Sequence, residues 1–234
     1  MDVTLQHIED VADSIKVFWF KPDRAIRHVA GQFTQIHLPL ELMDERGDKH
    51  WFTISSSPTE ELIGITTKFT SNEGSAFKQA LGRLQPGTKL TLAEPMGDFV
   101  LPKDTSIPLL FVAGGIGVTP YRSMIKWLND TKEQRDVHLV YSVREPGELA
   151  FLDLFQSHDM TFTPIVTEPD VDWQGGTGLL SAERILASAD ADHRTLIYIS
   201  GPEPMVEQFV KDLKQAGIPA HRLVTDYFPG YTKI

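Results

Sequence analysis

The sequence predicts two domains in series: an N-terminal six-stranded antiparallel β-barrel over residues 1–104, then an α/β doubly wound parallel sheet over residues 105–234. Three observations carry that prediction. The first hundred residues hold six short stretches in which apolar and polar residues roughly alternate, separated by turn residues. From Ile107 onward apolar runs alternate instead with segments of helical period, the pattern of a parallel sheet covered on both faces. Between the halves, Pro102 to Pro108 gathers Pro, Lys, Asp, Thr and Ser into a linker-like stretch.

Taken in order, strands are expected at Val3 to Ile8, Ile15 to Phe20, Gln32 to Leu38, Trp51 to Ser55, Leu62 to Phe69 and Lys89 to Glu94. Pro22, Gly31, Gly47 and Pro86-Gly87 punctuate the gaps, and Ala76 to Leu81 is one brief helix. Short strands so spaced suit a small antiparallel barrel. In the second half, strand Leu109 to Ala113 leads to helix Pro120 to Asn129, and strand Val137 to Val143 leads to helix Leu149 to His158. Strand Phe162 to Thr167 precedes helix Ala182 to Ala189, strand Leu196 to Ser200 precedes helix Pro204 to Ala216, and a last short strand lies near Leu223.

Composition narrows the chemistry. With 41% hydrophobic and 23% charged residues the chain has ordinary globular values. A net charge of −10 repels the phosphate backbone, so nucleic acid is not an expected partner. The absence of cysteine removes disulfides, thiolate zinc sites, cysteine nucleophiles and cysteine-ligated iron-sulfur clusters from these 234 residues. The eight histidines are scattered without ligand spacing, so no metal site is expected. The longest apolar stretch, Ile107 to Val118, is well short of the roughly 20 residues that cross a bilayer. Met1 to Val11 is acidic and lacks the pattern of a secretory signal, and the expected location is cytoplasmic.

The most informative segment is Leu109-Leu-Phe-Val-Ala-Gly-Gly-Ile-Gly-Val-Thr-Pro120, an apolar strand running into glycines and then a helix. Gly114, Gly115 and Gly117 let the backbone turn tightly and approach a pyrophosphate, and Pro120 suits a first helical turn whose N–H groups attract anions. The third glycine of the usual dinucleotide fingerprint is replaced by Pro120, and no P-loop lysine follows.

Together with that segment, Ile199-Ser-Gly-Pro-Glu-Pro-Met205 and His50-Trp-Phe-Thr-Ile-Ser-Ser56 resemble the ferredoxin-NADP reductase family of flavoproteins. The resemblance covers nearly the whole chain in motif order. It takes in Gly74-Ser75, Pro95-Met-Gly97-Asp-Phe99 and Asp226-Tyr-Phe-Pro-Gly-Tyr231. It implies a barrel that binds FAD, with FMN as the alternative, and an α/β domain that binds a nicotinamide nucleotide.

Residue by residue, the resemblance puts Phe52 and Thr53, with Trp51 in the same strand, beside the isoalloxazine ring, and Gly74 and Ser75 at the helix turn that holds the flavin pyrophosphate. His50 stands where the family usually has arginine. Either it takes over the arginine's role, making flavin affinity fall as pH rises, or it is an exposed loop residue and Lys49 or Lys68 supplies the charge. Thr119 matches the residue near the nicotinamide, and Gly201-Pro202 the loop over the same ring. Ser200 stands where many relatives have cysteine. Phe228 and Tyr231 match the aromatics that cover the flavin's other face, unless the tail is a packed extension, and Asp226 matches an acid close to the active site. The candidate catalytic residues are therefore Thr53, Thr119, Ser200 and Asp226.

Nucleotide choice follows from charge. A 2′-phosphate needs basic side chains near the ribose, and Arg144 is one candidate, unless it forms a surface ion pair with Glu145 or Glu148. Glu168 and Asp170 are acidic after the third strand, and Gly175 to Gly178 contains no base, so NADH is favoured over NADPH. The expected function is hydride transfer from NAD(P)H to FAD, with electrons passed to a separate acceptor: a ferredoxin, flavodoxin, oxygenase component, haem protein or small molecule. The alternative is a flavin- and nucleotide-binding sensor or a non-catalytic subunit of a redox complex.

Overall fold

The computed structural model describes residues 1–39, 45, 47–69, 75–157, 159–188 and 193–228, with only the backbone of Phe228. The barrel comprises β1 (Asp2–Ala12), β2 (Ile15–Pro22), β3 (Phe33–His37), β4 (Lys49–Thr53), β5 (Ile63–Lys68) and β6 (Lys89–Leu92), with helix α1 (Ala76–Gly82) between the last two. The strands run antiparallel in the order β4-β3-β6-β1-β2-β5. An Ile54–Ile65 bridge and a 2.8 Å bond from the Ser55 N–H to the Gly64 carbonyl join the outer strands β4 and β5. Closure removes the unpaired edges that an open sheet would present.

Inside, Leu5, Phe18, Phe20, Ile36 and Ile65 meet Phe77 and Leu81 of α1. Trp19, pointing the other way, is also buried, because the second domain covers that outer face. No ordinary half-buried alternation is left in β2.

The second sheet comprises β7 (Leu109–Gly114), β8 (Val137–Val143), β9 (Thr161–Val166), the two-residue β10 (Gly176–Thr177), β11 (Leu196–Pro202) and β12 (Leu223–Phe228). The strands are parallel in the order β10-β9-β8-β7-β11-β12. Every residue of β7 is buried, as a central strand requires. Helices α2 (Thr119–Thr131) and α3 (Leu152–Ser157) pack on the face carrying Phe111, Leu139 and Tyr141. Helices α4 (Ala182–Ser188) and α5 (Glu203–Gln215) cover the face carrying Leu110, Val140 and Ile199. Strand order reverses between β7 and β11, and in open α/β sheets ligands bind outside the carboxyl ends of the strands at such a point.

The apolar strand β7 runs into the glycines as expected, and Gly115–Val118 form a 3-10 turn before α2. One expectation needs correction. The helix expected over Leu149 to His158 is confined to α3, because Pro146–Glu148 forms a separate 3-10 turn and Phe151 is left-handed at φ 62°. Among the described residues no helix is long and apolar enough to cross a membrane.

Candidate functional site

On the barrel side, β4 pairs with β3 so that His50 and Phe52 face inward and Trp51 and Thr53 outward. The His50 ring lies 4.3 Å from that of Phe77, and Phe52 stacks on the same ring at 5.8 Å. His50 Nε2 is 3.3 Å from the Gly47 carbonyl oxygen. His50 is therefore a partly buried strand residue packed at the start of α1, and the exposed-loop reading is overturned. Ser75 caps α1, its Oγ accepting from the Lys78 N–H at 3.1 Å. Thr53 is buried, whereas Trp51 is 47% exposed with its ring edge-on to Phe33. Lys68, an alternative source of charge for the phosphates, commits its ammonium to Glu148 of the second domain. Gly74, Tyr231 and the Phe228 side chain lie outside the described residues.

On the other side of the seam, Gly114 ends β7, and Gly115 takes a left-handed φ of 53° with open space where a side chain would point. Gly117 has a different reason to be glycine: a Cβ there would stand 2.2 Å from the Ser200 carbonyl oxygen. The turn after β7 thus lies directly on the backbone of β11. Met205 closes the same junction from α5, its side chain lying against Gly114 and Gly201. Thr119 is buried at the start of α2, donating its hydroxyl to the Ile116 carbonyl at 3.1 Å, with Pro120 in the first turn. Gly201 and Pro202 end β11 and lead into α5.

Ser200 pairs in register with Ala113 on one side and Asp226 on the other. It is fully buried, and its hydroxyl has no hydrogen-bond partner among the described residues. A buried polar atom left unpaired in this way is a place where a bound group is expected. Burial pushes the Asp226 carboxyl up from its ordinary 3.8 to about 6, with the negative charge of Asp98 adding to the effect and the Tyr227 N–H opposing it. Ser200, fully buried, and Asp226, partly buried, therefore stand side by side near the glycine turn.

The sign of the Asp226 shift yields a test. Between pH 3.8 and 6 the folded state holds more protons than the unfolded state, so stability falls as pH rises through that window. Asp226→Asn, which cannot ionise, should gain about 3 kcal/mol over the parent well above pH 6 and nothing below pH 3.8. Urea unfolding at both ends of the range checks this, and an equal effect at both would refute the assignment.

Arg144 follows β8 and is exposed. Its guanidinium donates to Glu145 at 2.5 Å and lies 3.9 Å from Glu168, whose N–H donates to the Arg144 carbonyl at 2.7 Å. The arginine is thus faced by two carboxylates, as an ion-pair reading anticipates.

Sequence reasoning missed the seam itself. Arg122 of α2 grips Glu60 with two nitrogens and donates at 3.1 Å to the Ser55 carbonyl, while Ser123 donates at 2.6 Å to the Ser56 carbonyl. Thr53 lies two residues before Ser55 and Thr119 three before Arg122, so these bonds tie together the segments carrying both threonines. The available signals were the Ser55-Ser56-Ser57 run and an arginine two residues after Pro120.

The family profile described as Oxidoreductase NAD-binding domain matches residues 111–211. The chain is 30% identical over 168 residues to the NADH oxidoreductase HCR of Escherichia coli, covering 71% of this chain and 51% of that protein. It is 26% identical over 221 residues to the reductase component of propane 2-monooxygenase from Mycolicibacterium smegmatis, covering 90% and 60%. It spans about half to three-fifths of the length of these curated relatives. Among solved structures, the flavohem-like FAD/NAD-binding domain of a Vibrio cholerae nitric oxide dioxygenase superposes with a TM-score of 0.83 at 18% identity, covering 97% of this chain and 98% of that one. A ferredoxin NADP+ reductase from Neisseria gonorrhoeae with bound FAD and NADP gives a TM-score of 0.80 at 18% identity and the same coverage. These two likenesses concern the fold.

Proposed function

We propose that this chain, which belongs to the ferredoxin reductase-like family of FAD- and NAD(P)-binding oxidoreductases, moves reducing equivalents from NADH to a separate electron acceptor. The observation that carries the reading is the seam, where the glycine turn, the unpartnered Ser200 hydroxyl and Asp226 meet at the reversal of strand order. The residues present fit both groups. Ser75, His50 and Phe52 would hold FAD on the barrel side, and the open space beside Gly115, with Thr119, Gly201 and Pro202, would hold the nucleotide. Bound flavin supplies the chemistry that accepts a hydride and gives up electrons one at a time.

The chain's own part is positional. Arg122 and Ser123 fix the two halves against each other, the contact of Gly117 with Ser200 sets the nucleotide turn against β11, and burial keeps water from the Ser200 hydroxyl. Asp226 holds a proton more readily than an ordinary aspartate and is suited to carry one at Oδ in mildly acidic conditions.

NADH is the proposed donor, because Glu145 and Glu168 already neutralise Arg144 and would repel a 2′-phosphate. Glu168→Arg should move the ratio of kcat/KM values toward NADPH by about tenfold, by removing a carboxylate and adding a fork. An unchanged ratio would place the ribose elsewhere. The proposed acceptor class is a redox partner protein, supported by relatives named as reductase components of propane 2-monooxygenase and of glycine betaine monooxygenase. The decisive experiment is anaerobic: NADH should bleach the flavin absorbance of the loaded protein within seconds. An oxidised spectrum that persists would instead favour a binding module without turnover.

A further inference from the structure

Lys68 ends β5, and its ammonium lies 2.5 Å from Glu148 Oε1, in the 3-10 turn after β8. The pair bridges the two domains and is largely shielded from water, with side-chain exposures of 26% for Lys68 and 11% for Glu148. In such a place desolvation offsets much of the attraction, so the pair is a poor source of stability and a good source of geometry.

What it joins is specific. Glu148 Oε2 accepts from the Arg144 N–H at 3.4 Å, and the Arg144 carbonyl accepts from the Glu168 N–H at 2.7 Å. On the other side the Lys68 carbonyl accepts from Lys78 Nζ at 2.8 Å, and the Lys78 N–H is capped by Ser75. One run of polar contacts therefore extends from Ser75, at the start of α1, to Glu168, after β9, and crosses the domain seam at this single ion pair.

We propose that Lys68 and Glu148 are positioning residues, whose pairing holds the loop of residues 144–148 against the barrel and so sets the nucleotide side in register with the flavin side. The proposal rests on the functional reading above for the identity of the two sides. It assigns Lys68 no contact with phosphate. Breaking the pair should loosen the loop, which still meets the barrel through the 2.8 Å bond from the Asp13 N–H to the Gly147 carbonyl, while Ser75 and α1 keep their own bonds.

The test uses FAD-loaded protein and three readouts: hydrogen exchange of the segment 143–149, flavin affinity, and KM against kcat for NADH. In Lys68→Met and Glu148→Gln the segment should exchange about tenfold faster and KM for NADH should rise about tenfold, while flavin affinity moves less than about twofold. Lys68→Arg should stay near the parent. The exchanged pair, Lys68→Glu with Glu148→Lys, should recover most of the protection that either single change loses. Glu148→Gln carries the measurement should Lys68→Met not fold. The proposal is overturned if the exchanged pair is no better protected than the singles, or if Lys68→Met weakens flavin binding tenfold with the loop unaffected. Hydrogen exchange is read without turnover, so a parent that fails to reduce its flavin would defeat the functional reading and leave this result standing.

Discussion

Arg122→Ala should lower the free energy of unfolding by about 3 to 5 kcal/mol, the range for removing one partner of a buried ion pair. The side chains of Arg122 and Glu60 are only 11% and 20% exposed. Two guanidinium nitrogens meet the two carboxylate oxygens, and Nη2 stands 2.9 Å from Oε1. The same guanidinium lies over the Trp19 ring at 5.3 Å and the Phe151 ring at 5.7 Å, so three elements from two domains converge on it. Alanine would leave the Glu60 carboxylate without its counter-ion and the Ser55 carbonyl without its donor. For a chain of this size the loss corresponds to a fall in Tm on the order of 10 °C. Arg122→Ala with Glu60→Gln should recover part of it, because the stranded charge is gone and the amide can still accept from the Ser57 N–H. A loss below about 1 kcal/mol for Arg122→Ala would mean that apolar burial, and not this clasp, holds the seam.

How much of this is legible in the sequence depends on the range of the interaction. Leu109 to Gly114 is apolar at every position, which only a strand buried on both faces tolerates, and the glycines after it announce a tight turn. The break at Phe151 is a different matter, since Leu149 to His158 has helical period and nothing local demands a left-handed residue there. That backbone is settled by the seam, where the Phe151 ring meets Arg122. The run Val17 to Phe20 likewise reads as a strand without revealing that Trp19 faces a second domain. Lys68 and Glu148 are 80 residues apart, and Arg122 and Glu60 are 62 apart. No periodicity relates residues at such distances, so a lysine that reads as a phosphate ligand, and charges such as Glu60 and Arg122, become interdomain pairs only when the chain is folded. Asp98 is similar: in the sequence it is one residue of the Pro95 to Phe99 motif, yet its charge helps to raise the Asp226 carboxyl.

Gly117→Ala should have the largest effect on nucleotide binding. The added Cβ would meet the Ser200 carbonyl oxygen at 2.2 Å, the Ser200 carbonyl carbon at 2.5 Å and Gly201 Cα at 2.6 Å, all backbone atoms that no rotamer change can move. Relief requires the turn after β7 to part from β11, which would disturb Thr119, Ser200 and Gly201 together. Overpacking of this kind costs about 1 to 3 kcal/mol of stability. A displacement on the order of 1 Å where the nucleotide is held should weaken its productive binding about a hundredfold. Gly115→Ala supplies the contrast, because nothing stands within 4 Å of its Cβ and the strain comes from its φ of 53° alone, about 1 to 2 kcal/mol. If a pyrophosphate occupies the space beside Gly115, the alanine methyl should intrude on the ligand and weaken NAD+ binding by more than its backbone strain explains. Calorimetric titration of both variants with NAD+, alongside urea unfolding, separates the two glycines. Parent-like affinity in Gly117→Ala would show that β11 and the turn can part without moving the nucleotide, and the turn's contact with β11 would then be a packing feature only.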